Sequence, residues 1–175
     1  MNQFSILMHL LSKKDTLYEM GATKEEILAA LNLKTKNDDF FFQNLITNLS
    51  NHLEIIGLRV KYNPLDSHWF VSFDLGTSEL ISANPFKDQP KLAATLFVTL
   101  VSCINNSGVA KLHQIRDLRK KKLVLEDLRE LEIMGYLKID KIKGEVQLTP
   151  LIGYKLDLEY LFVKLALKLK ENELE

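Results

Sequence analysis

The alternation of hydrophobic and polar positions in the first half of the chain predicts three helices followed by a β-hairpin. The stretch NQFSILMHLLSKK predicts a first helix, because its apolar residues recur at helical spacing. A second helix is predicted to begin after Thr23, which has capping-box spacing to Glu26, and a third runs from Asn37 to Gly57. The stretches LRVKYN and HWFVSF are typical of strands and flank the turn signal PLDS.

The second half of the chain repeats this order. The stretches PKLAATLFVTLVSCIN, KLHQIRDLRK and KLVLEDLRELEIMG predict three helices, and YLKIDK and EVQLT predict two strands. The two third helices end alike, at Gly57 and Gly135, each preceded by a leucine four residues earlier. We therefore predict a mainly α fold with small β-hairpins, of the α+β class, built as two tandem winged-helix domains plus a C-terminal helix.

The predicted boundaries follow from these elements. Residues 1–74 form the N-terminal winged-helix domain, 75–89 a linker, 90–150 the C-terminal winged-helix domain, and 151–175 a C-terminal helix and tail. As a helix, the last segment has two apolar stripes, so it must be covered on both sides, by the other domain or by a partner. One stripe is expected to pack on the protein itself and contains Leu158, Leu161, Phe162, Leu165 and Leu169. The other is the candidate partner-binding site and contains Leu156, Tyr160, Val163 and Leu167.

Three consecutive phenylalanines open the third helix of the first domain, and they cannot all face one core. The predicted buried stripe contains Phe42, Leu45, Ile46, Leu49, Leu53 and Ile56. Phe41 then lies at the edge of this stripe and Phe40 points away from it. No Lys or Arg occurs between Asn37 and Leu58, so this helix lacks the cations that a DNA-recognition helix needs. An outward Phe40 favours a protein partner, unless the N-terminal arm or the linker folds over it.

A second aromatic feature lies on the predicted strand HWFVSF. Trp69 and Phe70 are adjacent, so their side chains point to opposite faces of the sheet, and burying both in a small domain is difficult. We expect them to form an apolar patch with Phe40. Closing that patch by two-fold self-association gives a homodimer through the N-terminal domain.

A basic cluster precedes the third helix of the second domain. Its residues are candidate DNA-backbone contacts: Arg116, Arg119, Lys120, Lys121 and Lys122. The helix that follows is acidic and poorly suited to reading bases. Such a cluster is otherwise solvated surface, and we expect direct DNA binding to be weak or absent.

Composition adds few constraints. The 175 residues contain 23 Lys and Arg against 23 Asp and Glu, so no global charge attracts nucleic acid or a membrane. A single cysteine, Cys103, excludes an internal disulfide and suits a reducing cytosol. The longest apolar run, residues 92–104, is shorter than the roughly 20 residues that span a bilayer, and no signal peptide is recognisable. We expect a soluble cytoplasmic protein without membrane contact.

Nothing in the sequence points to catalysis. The four histidines are scattered singly, without the spacing of a metal site. Neither a glycine-rich phosphate loop nor a nucleophile elbow occurs. We predict a protein that is not an enzyme and has no catalytic residues, metal or cofactor.

The layout of the second half resembles the segregation and condensation protein B family, in the kleisin-interacting tandem winged-helix (kite) group. The similarity covers the apolar first helix, the second helix with its I-x-x-I-R motif at His113–Arg116, and the leucine-rich third helix. Two positions depart from the bacterial pattern. Asn106–Gly108 replace a Gln-Pro signature, and Asp117 follows Arg116 in place of glycine. These departures suggest a remote relative and fit an archaeal one.

The resemblance implies a non-enzymatic subunit that dimerises through its N-terminal domain and binds a kleisin. Through the kleisin it would join an SMC ATPase on the nucleoid and act in chromosome condensation and segregation during the cell cycle. Two alternatives stay open from the residues. One is a DNA-binding transcription regulator with two winged helices. The other is a winged-helix scaffold subunit of another assembly, of the ESCRT-II type.

Overall fold

A computed structural model describes residues 2–16, 19–33, 38–74, 86, 88–120, 123–156 and 158. The chain divides into two units, one formed by Met1–Thr77 with Gly153–Glu175 and the other by Ser78–Ile152. The domain boundaries drawn from the sequence stay predictions.

The first unit contains three helices and a three-stranded antiparallel sheet. Its elements are α1 (Gln3–Ser12), β1 (Ala22–Thr23), α2 (Lys24–Ala30), α3 (Asp38–Glu54), β2 (Leu58–Asn63) and β3 (His68–Phe73). The strands lie in the order β1-β3-β2. Thr23 and Glu26 form the predicted capping box at the start of α2. The strands β2 and β3 cover the two stretches that the sequence predicted.

The second unit has the same order of elements. They are α4 (Pro90–Asn105), β4 (Val109–Lys111), α5 (Leu112–Arg119), α6 (Val124–Ile133), β5 (Leu137–Asp140) and β6 (Glu145–Leu148). The strands lie in the order β4-β6-β5, again antiparallel. A short helix, α7 (Leu151–Lys155), follows β6. Each unit therefore has a helix, a short strand, two helices and a hairpin, which is a winged-helix-like α+β arrangement and confirms the predicted fold class.

Helix α3 provides one side of the core of the first unit. Its buried residues are Phe42, Leu45, Ile46, Leu49 and Leu53, and they pack with Leu7, Leu11 and Ile27 from α1 and α2. Phe41 lies at the margin and Phe40 is 74% exposed, as predicted. The prediction that Ile56 is buried is wrong, because its side chain is 67% exposed. Helix α3 ends at Glu54, so the helical spacing that placed Ile56 on the buried face no longer applies there.

The core of the second unit forms around the apolar helix α4. Its buried residues include Leu92, Leu96, Leu100, Ile115, Leu128, Leu131 and Val146. Cys103 is buried among them with its Sγ atom 3.7 Å from the backbone oxygen of Val146. Burial raises the pKa of the Cys103 thiol, so this side chain acts as a small packing group.

Candidate partner-binding surfaces

The outer face of α3 carries an exposed aromatic side chain and no Lys or Arg. Phe40 projects from its first turn, and the exposed side chains that follow are Gln43, Asn44, Thr47, Asn48 and Asn51. Lys24 is paired with Asp39, and its Nζ atom lies 5.6 Å from the centroid of the Phe42 ring. This cation is therefore held beside the first turn of α3, where it pairs with the exposed Asp39, and the strongly exposed Phe40 is followed along the helix by neutral polar groups.

Trp69 and Phe70 are both covered within the first unit. The Trp69 ring is half-buried, 5.3 Å from the Phe42 ring and 5.0 Å from the Tyr62 ring, measured between centroids. Phe70 is 1% exposed, and its ring packs against the Tyr154 ring in a T-shaped arrangement with 4.9 Å between the centroids. We expected that burying both within residues 1–74 would be difficult; Phe70 is buried beside Tyr154, which lies outside that range, and Trp69 is half-buried. Phe70 is not part of an exposed patch.

A polar contact fixes Gly153 and Tyr154 on the first hairpin. The Tyr154 hydroxyl donates to Asp66 in the turn between β2 and β3, and the backbone N–H of His68 donates to the same carboxylate at 3.2 Å. A Cβ atom on Gly153 would lie 1.9 Å from the Oδ1 atom of the buried Asn63. Burial, together with the bond to Asp66, raises the pKa of Tyr154 to about 12. The sequence analysis did not predict this contact, because no pattern around Gly153 and Tyr154 indicates that Asp66 lies opposite them.

The candidate partner stripe of the C-terminal segment lies mostly outside the described residues. Leu156 is half-buried, while Tyr160, Val163 and Leu167 are not described. Leu158, which belongs to the other stripe, is buried. The assignment of the first four residues to a partner site stays a prediction.

The described members of the basic cluster lie in different surroundings. Arg119 is directed inward, with its Nε atom donating to Thr95 Oγ1 at 3.1 Å and an Nη atom donating to the Lys91 carbonyl at 3.3 Å, both on α4. Arg116 and Lys120 are exposed near the end of α5. The remaining members, Lys121 and Lys122, lie outside the described residues. The inward position of Arg119 makes it a structural side chain, unlike the phosphate contact proposed from the sequence.

Two further properties concern only the part of the chain that the structure describes. No group of three or more His, Cys, Asp or Glu side chains there is arranged to hold a metal ion. None of the helices in that part is long and apolar enough to cross a membrane.

Comparison with known proteins gives remote structural likenesses. No family model matches the chain, and no curated protein matches it. A conserved hypothetical protein from Chlorobium tepidum is 12% identical with a TM-score of 0.39, covering 83% of this chain and 88% of that one. ScpB from Mycobacterium tuberculosis is 15% identical with a TM-score of 0.31, covering 84% of this chain and 88% of its own.

Proposed function

We propose that this protein is a non-enzymatic subunit of an SMC–kleisin complex, which binds a kleisin and acts in chromosome condensation and segregation. The observation that carries the proposal is the outer face of α3, where an exposed Phe40 stands among uncharged polar side chains. In a winged-helix protein that reads DNA, this helix would present cations and base-contacting donors. An exposed aromatic residue on a neutral face suits a protein partner.

The third helix of the second unit supports the same conclusion. Glu126 and Glu130 are exposed on α6, and Asp127 accepts a hydrogen bond from Thr95 at 2.8 Å. Arg129 is exposed on the same helix. Acidic side chains repel phosphates, so α6 is poorly suited to the major groove, and a sequence-specific transcription regulator is disfavoured.

The identity of the partner as a kleisin rests on the resemblance of the second half to segregation and condensation protein B. The partner site within this proposal is the stripe of Leu156, Tyr160, Val163 and Leu167. A kleisin segment would dock there as an amphipathic helix, with its apolar face on the stripe. The proposal also includes a homodimer formed through the first unit, with Phe40 at the contact.

A capture experiment from the native host tests the function. Affinity-tagged full-length protein should retain a kleisin and an SMC ATPase, identified by mass spectrometry. The double variant Tyr160→Asp with Val163→Asp should lose both proteins and keep the wild-type circular dichroism and thermal midpoint. A matched control, Gln3→Asp with Ser5→Asp, adds the same two negative charges at the exposed start of α1 and should capture as the wild type does.

Three results would contradict parts of the proposal. Retention of another assembly without a kleisin would make the protein a scaffold of a different complex. Nanomolar, sequence-dependent duplex binding at physiological salt would favour a transcription regulator. Unfolding of the Tyr160→Asp, Val163→Asp variant would mean that this stripe belongs to the protein's own core, and the partner site would then be sought around Phe40.

A further inference from the structure

The second hairpin presents an aliphatic side chain at its tip. Ile142 is 98% exposed and stands between Lys141 and Lys143. The turn beneath it is held in one conformation, because the Asp140 carboxylate accepts hydrogen bonds from the backbone N–H groups of Ile142 and Lys143 at 2.9 and 3.1 Å. Gly144 completes the turn with a positive φ of 66°, a conformation that glycine adopts without strain. The exposed isoleucine therefore sits on an ordered support.

Cations surround this tip. Lys138, Lys141 and Lys143 are exposed along the hairpin, covering roughly 10 Å from Lys138 to the turn at the rise of a β-strand. The backbone N–H of Leu112 donates to the Gly144 carbonyl at 2.9 Å, which brings the exposed Lys111 of β4 to the same end of the unit. The result is a ridge of lysines with one apolar side chain at its end.

Acidic side chains lie close to the ridge, and two of them, Asp140 and Glu145, share a cross-strand row with Lys111. Asp140 accepts the two turn hydrogen bonds described above. Glu145 is half-buried opposite Asp140 in the β5–β6 ladder and opposite Lys111 in the β4–β6 ladder. Glu132 accepts a hydrogen bond from the backbone N–H of Ile139 at 2.9 Å. The Asp140 and Glu132 carboxylates thus each accept hydrogen bonds from backbone N–H groups of the hairpin.

We propose that the hairpin β5–β6 binds the phosphate backbone of duplex DNA without sequence preference, with Ile142 inserted into the minor groove. Lysine binds phosphate as a point charge, and an apolar wedge flanked by cations is a known way to enter the minor groove. A DNA contact here would use the wing and leave the acidic helix α6 out of the groove. It goes beyond the proposed kleisin binding and does not depend on it.

Two other kinds of partner fit the ridge less well. Protein interfaces are depleted of lysine and enriched in aromatic residues, whereas this tip carries lysines and no aromatic side chain. Membrane-surface binding requires a sizeable apolar face, and the tip offers a single isoleucine. The charge and the narrow apolar end together favour a polyanion with a groove.

The first hairpin provides an internal comparison. Its turn, Pro64–Ser67, contains no lysine, and its Asp66 side chain is engaged by Tyr154 and His68. The two hairpins thus have the same place in the layout of their units and different surroundings. A DNA contact is expected from the second one.

The test is fluorescence anisotropy of a labelled duplex of about 30 base pairs and mixed sequence, titrated with the full-length protein at salt concentrations of about 50 to 200 mM. Non-specific binding should be micromolar at the lowest salt and should weaken steeply as salt rises. The triple variant Lys138→Gln, Lys141→Gln, Lys143→Gln should bind at least about tenfold more weakly. The slope of the logarithm of its binding constant against the logarithm of the salt concentration should be smaller in magnitude by about three, roughly one for each lost phosphate contact.

A separate variant tests the apolar tip. Ile142→Gln should weaken binding several-fold and leave the salt slope unchanged, because no charge is removed. Wild-type affinity in this variant would overturn the minor-groove contact.

The matched charge control is Lys13→Gln, Lys14→Gln, Lys155→Gln, which removes the same net charge from exposed positions of the first unit. It should bind DNA as the wild type does, and all variants should keep the wild-type circular dichroism. No binding of the wild type at about 50 mM salt would overturn the proposal. So would an unaffected hairpin triple variant, or equal losses in both triple variants. Vesicles containing phosphatidylserine, assayed in parallel, should not bind; lysine-dependent vesicle binding without DNA binding would make the ridge a membrane contact instead.

Discussion

The contact between Tyr154 and the first hairpin gives a prediction with a definite magnitude. Tyr154→Phe removes one hydroxyl and keeps the ring that packs edge-on against Phe70. The hydroxyl donates to Asp66, whose side chain is 11% exposed. Losing a donor leaves that carboxylate desolvated and less well paired, so we expect the folded state to be destabilised.

The size of this destabilisation depends on the hydrogen-bond partners that Asp66 keeps. A hydrogen bond to a charged group contributes about 1.5–3 kcal/mol. Asp66 keeps the backbone N–H of His68 at 3.2 Å, and the His68 Nδ1 atom lies 3.5 Å from the same carboxylate. No cavity forms, because the aromatic ring is retained. We therefore expect a loss at the lower end, about 1.5 kcal/mol.

Urea unfolding followed by tryptophan fluorescence measures this loss. Trp69 is the only tryptophan in the chain and lies on β3, so its signal reports on the unit that contains Asp66 and Tyr154. With a urea dependence of about 1–3 kcal/mol per molar, the midpoint should fall by roughly 0.5–1.5 M. The control is Tyr62→Phe, the same change on an exposed ring beside Trp69, which should cost less than about 0.5 kcal/mol.

Two results would refute this reasoning. A wild-type midpoint for Tyr154→Phe would mean that the hydroxyl contributes nothing to holding Gly153 and Tyr154 on the hairpin. Equal losses in Tyr154→Phe and Tyr62→Phe would mean that the effect comes from tyrosine hydroxyls in general and does not involve Asp66.

The remaining predictions concern pH and surface aromatics. Because burial and the bond to Asp66 raise the pKa of Tyr154 from 10 to about 12, the unfolded chain releases this proton first. The protonated Tyr154 hydroxyl therefore contributes its full stabilisation below pH 10, and this contribution is lost as the pH rises to 12. Over that interval the urea midpoint should fall more in the wild type than in Tyr154→Phe. Phe40→Asp should change the free energy of unfolding by less than about 0.5 kcal/mol, because the side chain is exposed, whereas Phe42→Ala should cost about 3–5 kcal/mol. Light scattering should show a dimer for the wild type and a monomer for Phe40→Asp, and a wild-type monomer at high micromolar concentration would contradict the dimer.

The elements with a clear local pattern were predictable from the sequence. The periodicity of α3 identified its buried and exposed phenylalanines, and the capping box at Thr23 located the start of α2. The short strands β1 and β4 were missed, because two or three residues cannot display a period. They are strands because of their pairing with distant residues, Ala22 with Trp69 and Ala110 with Val146.

The misjudged residues share a dependence on distant parts of the chain. Phe70 was expected to be exposed, but its cover comes from Tyr154, and Tyr154 bonds to Asp66 across 88 residues of sequence. Arg119 was a candidate DNA-backbone contact, and the sequence did not show that its side chain reaches the Thr95 hydroxyl on another helix. Periodicity gives the direction of a side chain relative to its own element and does not identify what lies opposite.

The close approach of Gly153 to Asn63 has a consequence for how homologous sequences can diverge. A Cβ atom at position 153 would lie 1.9 Å from the Asn63 amide oxygen, so a larger residue there requires a smaller one at position 63. The two positions should therefore covary, because they lie in contact in the fold although they are 90 positions apart in the sequence. Ile142, at the tip of the other hairpin, is 98% exposed, so packing does not restrict the residue at this position. Its identity should vary among homologues unless an external ligand binds the side chain.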